Sequence, residues 1–147
     1  MKSRKKGTIS KILKLKDSRK KELELEVKIA ADRVDEVESE INTLQNDYED
    51  KVRYFNENND KGSIDINNIN SYYDFFSRIN GRIDEQKEIH AQRKVELKSL
   101  KDSLVNAHKD KRVFEVLNER AMKADQREKS LTDQKETDFI AITRRMK

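Results

Sequence analysis

The 147-residue chain has no cysteine, no proline and no tryptophan, and its only glycines are Gly7, Gly62 and Gly81. Without Cys there is no disulfide framework, no thiolate chemistry and no Cys-based metal site. Without Pro, nothing in the sequence forces a helix to kink or stop. Long apolar runs are also missing. No stretch approaches the roughly 20 residues needed to span a bilayer. The apolar stretch Ile9–Leu15 is interrupted by Lys11 and Lys14, so it does not read as a signal-peptide core. A soluble cytoplasmic protein is the expectation. Only 33% of residues are hydrophobic and 42% are charged, which is too little apolar volume for a thick core.

Chemical motifs are lacking as well. The chain contains no glycine-rich phosphate loop, no His-Glu-x-x-His and no Gly-x-Ser-x-Gly. His90 and His108 are its only histidines. Eighteen residues apart on one helix, they share a face but stand roughly 27 Å apart at the helical rise, too far to hold one metal. Carboxylates such as Glu22, Glu24, Glu26, Asp35, Glu36, Glu38 and Glu40 are abundant. A catalytic carboxylate pair needs a partly dry cleft that separates the two pKa values. Charged helix faces carrying i, i+4 ion pairs offer none. The expectation is a non-enzymatic protein without cofactor or metal.

What the sequence does contain is a rhythm. From Leu23 the apolar residues fall at Val27, Ala30, Val34, Val37, Ile41, Leu44 and Tyr48, in alternating steps of four and three. This heptad stripe is narrow and must be buried against another helix. Backward it continues through Lys20, Lys16, Leu13 and Ile9, which puts two lysines at seam positions. Either the pairing loosens there or an acidic surface meets them. Forward it runs through Val52 to Phe55. The two successive steps of four around Tyr48 form a stutter, which locally unwinds a supercoil.

A first helix is expected over about residues 8–58. Asn56 to Ser63, rich in Asn, Asp and Gly, forms the one strong break, with the turn at about 59–66. A second helix is expected over about 67–140. Ser71 and Asp74 suit a capping box at its start, with Asp65 or Asn67 as caps for an earlier one. Its seam passes Tyr72, Phe76, Ile79 and Ile83, turns polar at Gln86, His90 and Arg93, and resumes at Leu97, Leu100, Leu104 and Ala107. Phe114, Leu117, Ala121, Ala124 and Leu131 follow. Two long amphipathic helices joined by a short polar turn fold back on each other. The expected fold is therefore all-α: an elongated, antiparallel two-helix coiled-coil hairpin forming a single domain over 1–147. The second helix is the longer, so residues beyond about 120 should overhang the first helix or fray.

Two regions stand out from the shaft. Among the first 21 residues ten are Lys or Arg and one, Asp17, is acidic, a local +9 in a chain of net +4. Such a segment suits docking on an acidic protein surface, a solubilising tail, a nucleic-acid arm or a membrane-surface helix. It has no aromatic for base stacking and no base-reading motif. Near the turn gather Tyr48, Tyr54, Phe55, Tyr72, Tyr73, Phe75 and Phe76, seven of the nine aromatics. The last four occupy nearly every side of one helical turn, so not all can face the first helix. Exposed aromatics in a cluster favour a binding tip.

The basic start, the heptad helix, the Asn/Gly turn and the segment Ser71-Tyr72-Tyr73-Asp74-Phe75-Phe76-Ser77-Arg78-Ile79, with Ile83 and Gln86, together resemble the FliJ family. That family is the coiled-coil component of the flagellar type III export apparatus, similar to the YscO-type proteins of injectisomes. Lys111-Arg112-Val113-Phe114-Glu115-Val116-Leu117 and Asp133-Gln134-Lys135-Glu136-Thr137-Asp138 also look like it. Phe139 stands where an acidic residue is expected and Arg82 where a small one is usual.

The resemblance implies a non-enzymatic stalk at the cytoplasmic face of the inner membrane. It links the hexameric export ATPase (FliI-like) to the cytoplasmic domain of the export gate protein (FlhA-like) and interacts with export chaperones, with no nucleic-acid partner and at most peripheral membrane association. It implies a gate-binding tip at Tyr48, Val52, Phe75, Ile79 and Gln86. It also implies an ATPase-binding end at Lys11, Lys14, Lys16 and Lys20. A generic coiled-coil scaffold, or a nucleic-acid-binding hairpin using the basic arm, remains the alternative reading of the same residues.

Overall fold

The computed structural model describes residues 2–62 and 65–146, with side chains from Gly7 onward. Ser63, assigned above to the turn, and the side chains of Lys2, Arg4, Lys5 and Lys6 lie outside the described residues. Two helices make up the described fold: α1, Lys2–Asp60, and α2, Ile66–Arg145. They pack against each other as an all-α helical hairpin.

The break falls where turn residues accumulate. α1 ends as the Lys61 amide bonds to the Glu57 carbonyl and the Gly62 amide to the Asn59 carbonyl. Gly62 has φ of +68°, a left-handed conformation that Gly accepts without the penalty a Cβ brings. α2 starts directly afterwards. The Ile69 amide bonds to the Asp65 carbonyl, which makes Asp65 the residue before the first turn. The capping box at Ser71 is not used. The Ser71 hydroxyl instead donates to the Asn67 carbonyl inside the helix.

The contacts gather in two units: Leu25–Asp102, and the residues before Leu25 together with those after Asp102. In the first, Ala30, Val34, Ile41 and Leu44 of α1 and Ile79 and Ile83 of α2 are buried, and every one is a seam residue. Leu44, Ile79 and Ile83 form one cluster, with Tyr48 and Phe75 packed against it. The direction is antiparallel: Asn58 of α1 bonds to Tyr72 of α2, and Glu38, further back on α1, meets His90, further on along α2. The polar middle of the α2 seam is accommodated without buried polar atoms left unpaired. Gln86, His90 and Arg93 are half-buried, and His90 Nε2 lies 2.8 Å from Glu38 Oε1. Such placement lets long polar side chains cover apolar surface while their heads stay wet.

In the second unit Leu23 is buried and Ile9, Leu13, Leu104, Ala107 and Phe114 are half-buried. From Gln126 onward every described residue of α2 is exposed. These exposed residues continue as helix to Arg145.

Candidate functional site

The aromatic group resolves into a packed set and an exposed set. The stutter at Tyr48 carries the α1 seam to Val52 and Phe55, where rings of α2 meet it. Tyr48 meets Phe76 edge-to-face at 5.1 Å, and Phe55 meets Tyr72 in the same way at 4.9 Å. Tyr72 and Phe76 stack along their own helix. These four rings close the hairpin next to the turn, and Asn58 Nδ2 donates to the Tyr72 hydroxyl at 3.2 Å. Tyr73 points away, 73% exposed, and Tyr54 is also exposed.

Phe75 sits between the two sets. It packs against the Leu44–Ile79–Ile83 cluster and also lines an open groove of about 490 Å³. Leu44, Phe75 and Ile79 form the apolar floor of this groove. Asp47 and Asp50 of α1 line it too, as do Arg78 and Arg82 of α2. Lys51 completes it, with its ammonium 5.3–5.5 Å from the ring centres of Tyr54, Tyr72 and Phe75. A cation over three aromatic faces is held by their quadrupoles and needs no carboxylate.

Of the five tip residues expected from the sequence, Phe75 and Ile79 meet in this groove. Tyr48 and Val52 are half-buried on α1, and Tyr48 packs on the same core cluster. Gln86 is half-buried further along the seam. Ile79 is only 6% exposed, so it supports the groove from below. Leu44 and Arg78 were read from the sequence only as a seam residue and as part of the family-like segment, and Asp47 and Lys51 were not read at all; none of the four was assigned to the tip. The available signal was the spacing of Lys51, three residues from both Tyr48 and Tyr54. Its remaining rings come from α2 and meet it only after folding.

The basic segment is partly engaged by the chain itself. Lys16 pairs with Asp110 at 2.6 Å and lies 5.5 Å over the ring of Phe114. Lys20 pairs with Glu24 at 3.7 Å. Beside them Lys111, itself in the seam gap between Ala107 and Phe114, donates to Asp17 at 2.7 Å. Asp17 also receives Lys21 at 3.2 Å. The hydrogen bonds from Lys111 and then Lys21 hold the Asp17 carboxyl below its ordinary value, and the Asp17 bond raises the Lys111 ammonium. Glu115, bonded by Arg112 and close to Lys111, is lowered as well. The seam lysines thus find acidic partners within the same unit. Lys11 and Lys14 are exposed and have no ion pair among the described residues.

Among the described residues no three His, Asp or Glu side chains cluster as a metal site, and no helix is long and apolar enough to cross a membrane. No curated protein and no solved structure matches the chain. One family model, described as "Flagellar FliJ protein", matches residues 5–147. With nearly the whole length matched, and two packed helices with a heptad seam beneath it, the chain belongs to the FliJ family of flagellar export-related coiled-coil proteins.

Proposed function

We propose that the chain is a non-enzymatic stalk that links the export ATPase ring to the export gate at the cytoplasmic face of the inner membrane and also interacts with export chaperones. The observation that carries this reading is the family match over residues 5–147. The arrangement of the surface supports it. Near the turn, a groove with an apolar floor and an exposed Tyr73 offers a docking face for the gate's cytoplasmic domain. Phe75 and Ile79 line that face and Tyr48 packs on the cluster beneath it, while Val52 and Gln86 are assigned to it by the family resemblance alone. In the unit holding the termini, the exposed Lys11 and Lys14 offer positive charge to the ATPase, while Lys16 and Lys20 lie on the seam side of α1 and would have to exchange Asp110 and Glu24 for the ATPase's carboxylates. In the same unit the C-terminal turns of α2 leave Leu131, Phe139, Ile140 and Ile142 exposed, as apolar surface for partners.

The test uses the purified full chain against the ATPase and the gate's cytoplasmic domain separately. Phe75→Ala should weaken gate binding and leave ATPase binding intact. Lys11→Glu with Lys14→Glu should do the reverse. Gate binding that survives Phe75→Ala unchanged removes the tip assignment. Absence of any binding to either partner removes the linking role.

A further inference from the structure

The groove near the turn has charged rims of opposite sign, and their state of pairing differs. Asp50 is occupied by Arg53. Lys51 is occupied by its three rings. Asp47, Arg78 and Arg82 have no ion pair among the described residues. Arg78 and Arg82 stand at i and i+4 on α2, where like charges are neighbours and repel each other. Acids are within sequence reach, Asp74 four residues before Arg78 and Glu85 three after Arg82, yet neither is paired with them. Elsewhere on these helices Arg19, Arg53, Arg93 and Arg112 each take a carboxylate three residues away. Both groove arginines are exposed, and the buried Ile79 lies between them in sequence.

We infer that this groove selects a partner segment by its acidic edge: an amphipathic helix carrying two carboxylates one turn apart beside a large apolar side chain. The apolar side chain seats against Leu44, Phe75 and Ile79. The two carboxylates meet Arg78 and Arg82, whose guanidinium groups match a carboxylate in a two-pronged hydrogen-bonded geometry that Lys lacks. The i, i+4 spacing of the arginines, about 5–6 Å between Cβ atoms, equals the spacing of carboxylates at i, i+4 on a facing helix. Asp47 on the opposite rim repels an acidic residue there. It therefore fixes which edge of the partner faces α2, and so the direction in which the partner lies. This inference rests on the reading of the near-turn face as the gate-binding surface, and it supplies the chemistry by which that surface chooses its partner.

The experiment measures binding of the full chain to the gate's cytoplasmic domain by calorimetry at low and moderate salt. The variants are Arg78→Ala/Arg82→Ala, Arg78→Glu/Arg82→Glu, Asp47→Ala and Phe75→Ala. All four positions are exposed or half-buried, and far-UV circular dichroism confirms that each variant stays helical. The alanine pair should weaken binding about tenfold and flatten its salt dependence, and the glutamate pair should weaken it further. Asp47→Ala should leave binding unchanged or tighten it two- to threefold. If Phe75→Ala abolishes binding while both arginine pairs bind as the parent does, the surface stands and acidic selection is overturned. If every variant, Phe75→Ala included, binds as the parent does, the gate-binding reading falls and this inference with it.

Discussion

Replacing Ile79 by alanine tests whether the short cluster under the groove holds the turn-proximal unit together. Ile79 is 6% exposed and touches Leu44 and Ile83, with Tyr48 and Phe75 packed around them. The substitution removes three carbons, and at about 0.8 kcal/mol per buried methylene the transfer loss is about 2.4 kcal/mol. A cavity adds to this, and measured Ile-to-Ala costs run from about 2 to 5 kcal/mol. Here the groove opens directly beside the site, so Phe75 and water fill much of the space and the cavity contribution is small. The expected loss is therefore about 2.5–3 kcal/mol. Urea titration followed by far-UV circular dichroism reads it as a lower midpoint with an unchanged slope. Tyr73→Ala, at a 73% exposed site on the same helix, should stay within about 0.5 kcal/mol. A loss below about 1 kcal/mol for Ile79→Ala, or an equal loss for Tyr73→Ala, would refute the assignment of this cluster as the local core.

Other outcomes follow from the same contacts. Gly62→Ala should destabilise by about 1–2 kcal/mol, because nothing crowds the added Cβ and the whole cost is the left-handed φ of +68°. Gly81→Ala should stabilise by about 0.8–1 kcal/mol, since that glycine lies inside α2 with open space around it; thermal melts of the two variants should move in opposite directions. Lys51→Met keeps the packing but removes the cation from its three rings, and should cost about 0.5–1 kcal/mol in urea titrations. The Asp17–Lys111–Glu115 network makes stability depend on pH in two windows. The carboxyls of Asp17 and Glu115 are lowered, so their contribution is complete above their ordinary values of 3.8 and 4.5 and is lost as pH falls through the lowered ones. Lys111 is raised, so its contribution is complete below its ordinary 10.5 and is lost as pH rises through the raised value. Urea midpoints against pH should show a plateau between these limits, and Asp17→Asn should lower the plateau and blunt both flanks.

The helices and their seam follow from the residue pattern alone. A stripe that alternates in steps of four and three admits one way of being buried, and of the seven buried residues among those described five lie on the α1 stripe and two, Ile79 and Ile83, on the α2 seam. The Asn/Asp/Gly run around Gly62 likewise marked the turn, because these residues accept a positive φ at the lowest cost. The family resemblance was legible in the same residues, since the aromatic segment after the turn is local in sequence.

Tertiary structure decided what lies across the seam, because heptad rhythm says which face is covered but not which charge sits opposite. The seam lysines are the clearest case. Lys16 meets Asp110, and Lys111 meets Asp17, partners more than ninety residues distant along the chain that no local pattern pairs. The aromatic tip is another. Periodicity showed that the four rings of residues 72–76 could not all face α1, but packing sorted them: Tyr72 and Phe76 inward, Tyr73 outward, and Phe75 onto the floor of a groove. The groove itself, with unpaired arginines on one rim and Asp47 on the other, exists only when residues 44–51 and 75–82 lie side by side, because its floor and its charges are drawn from both helices.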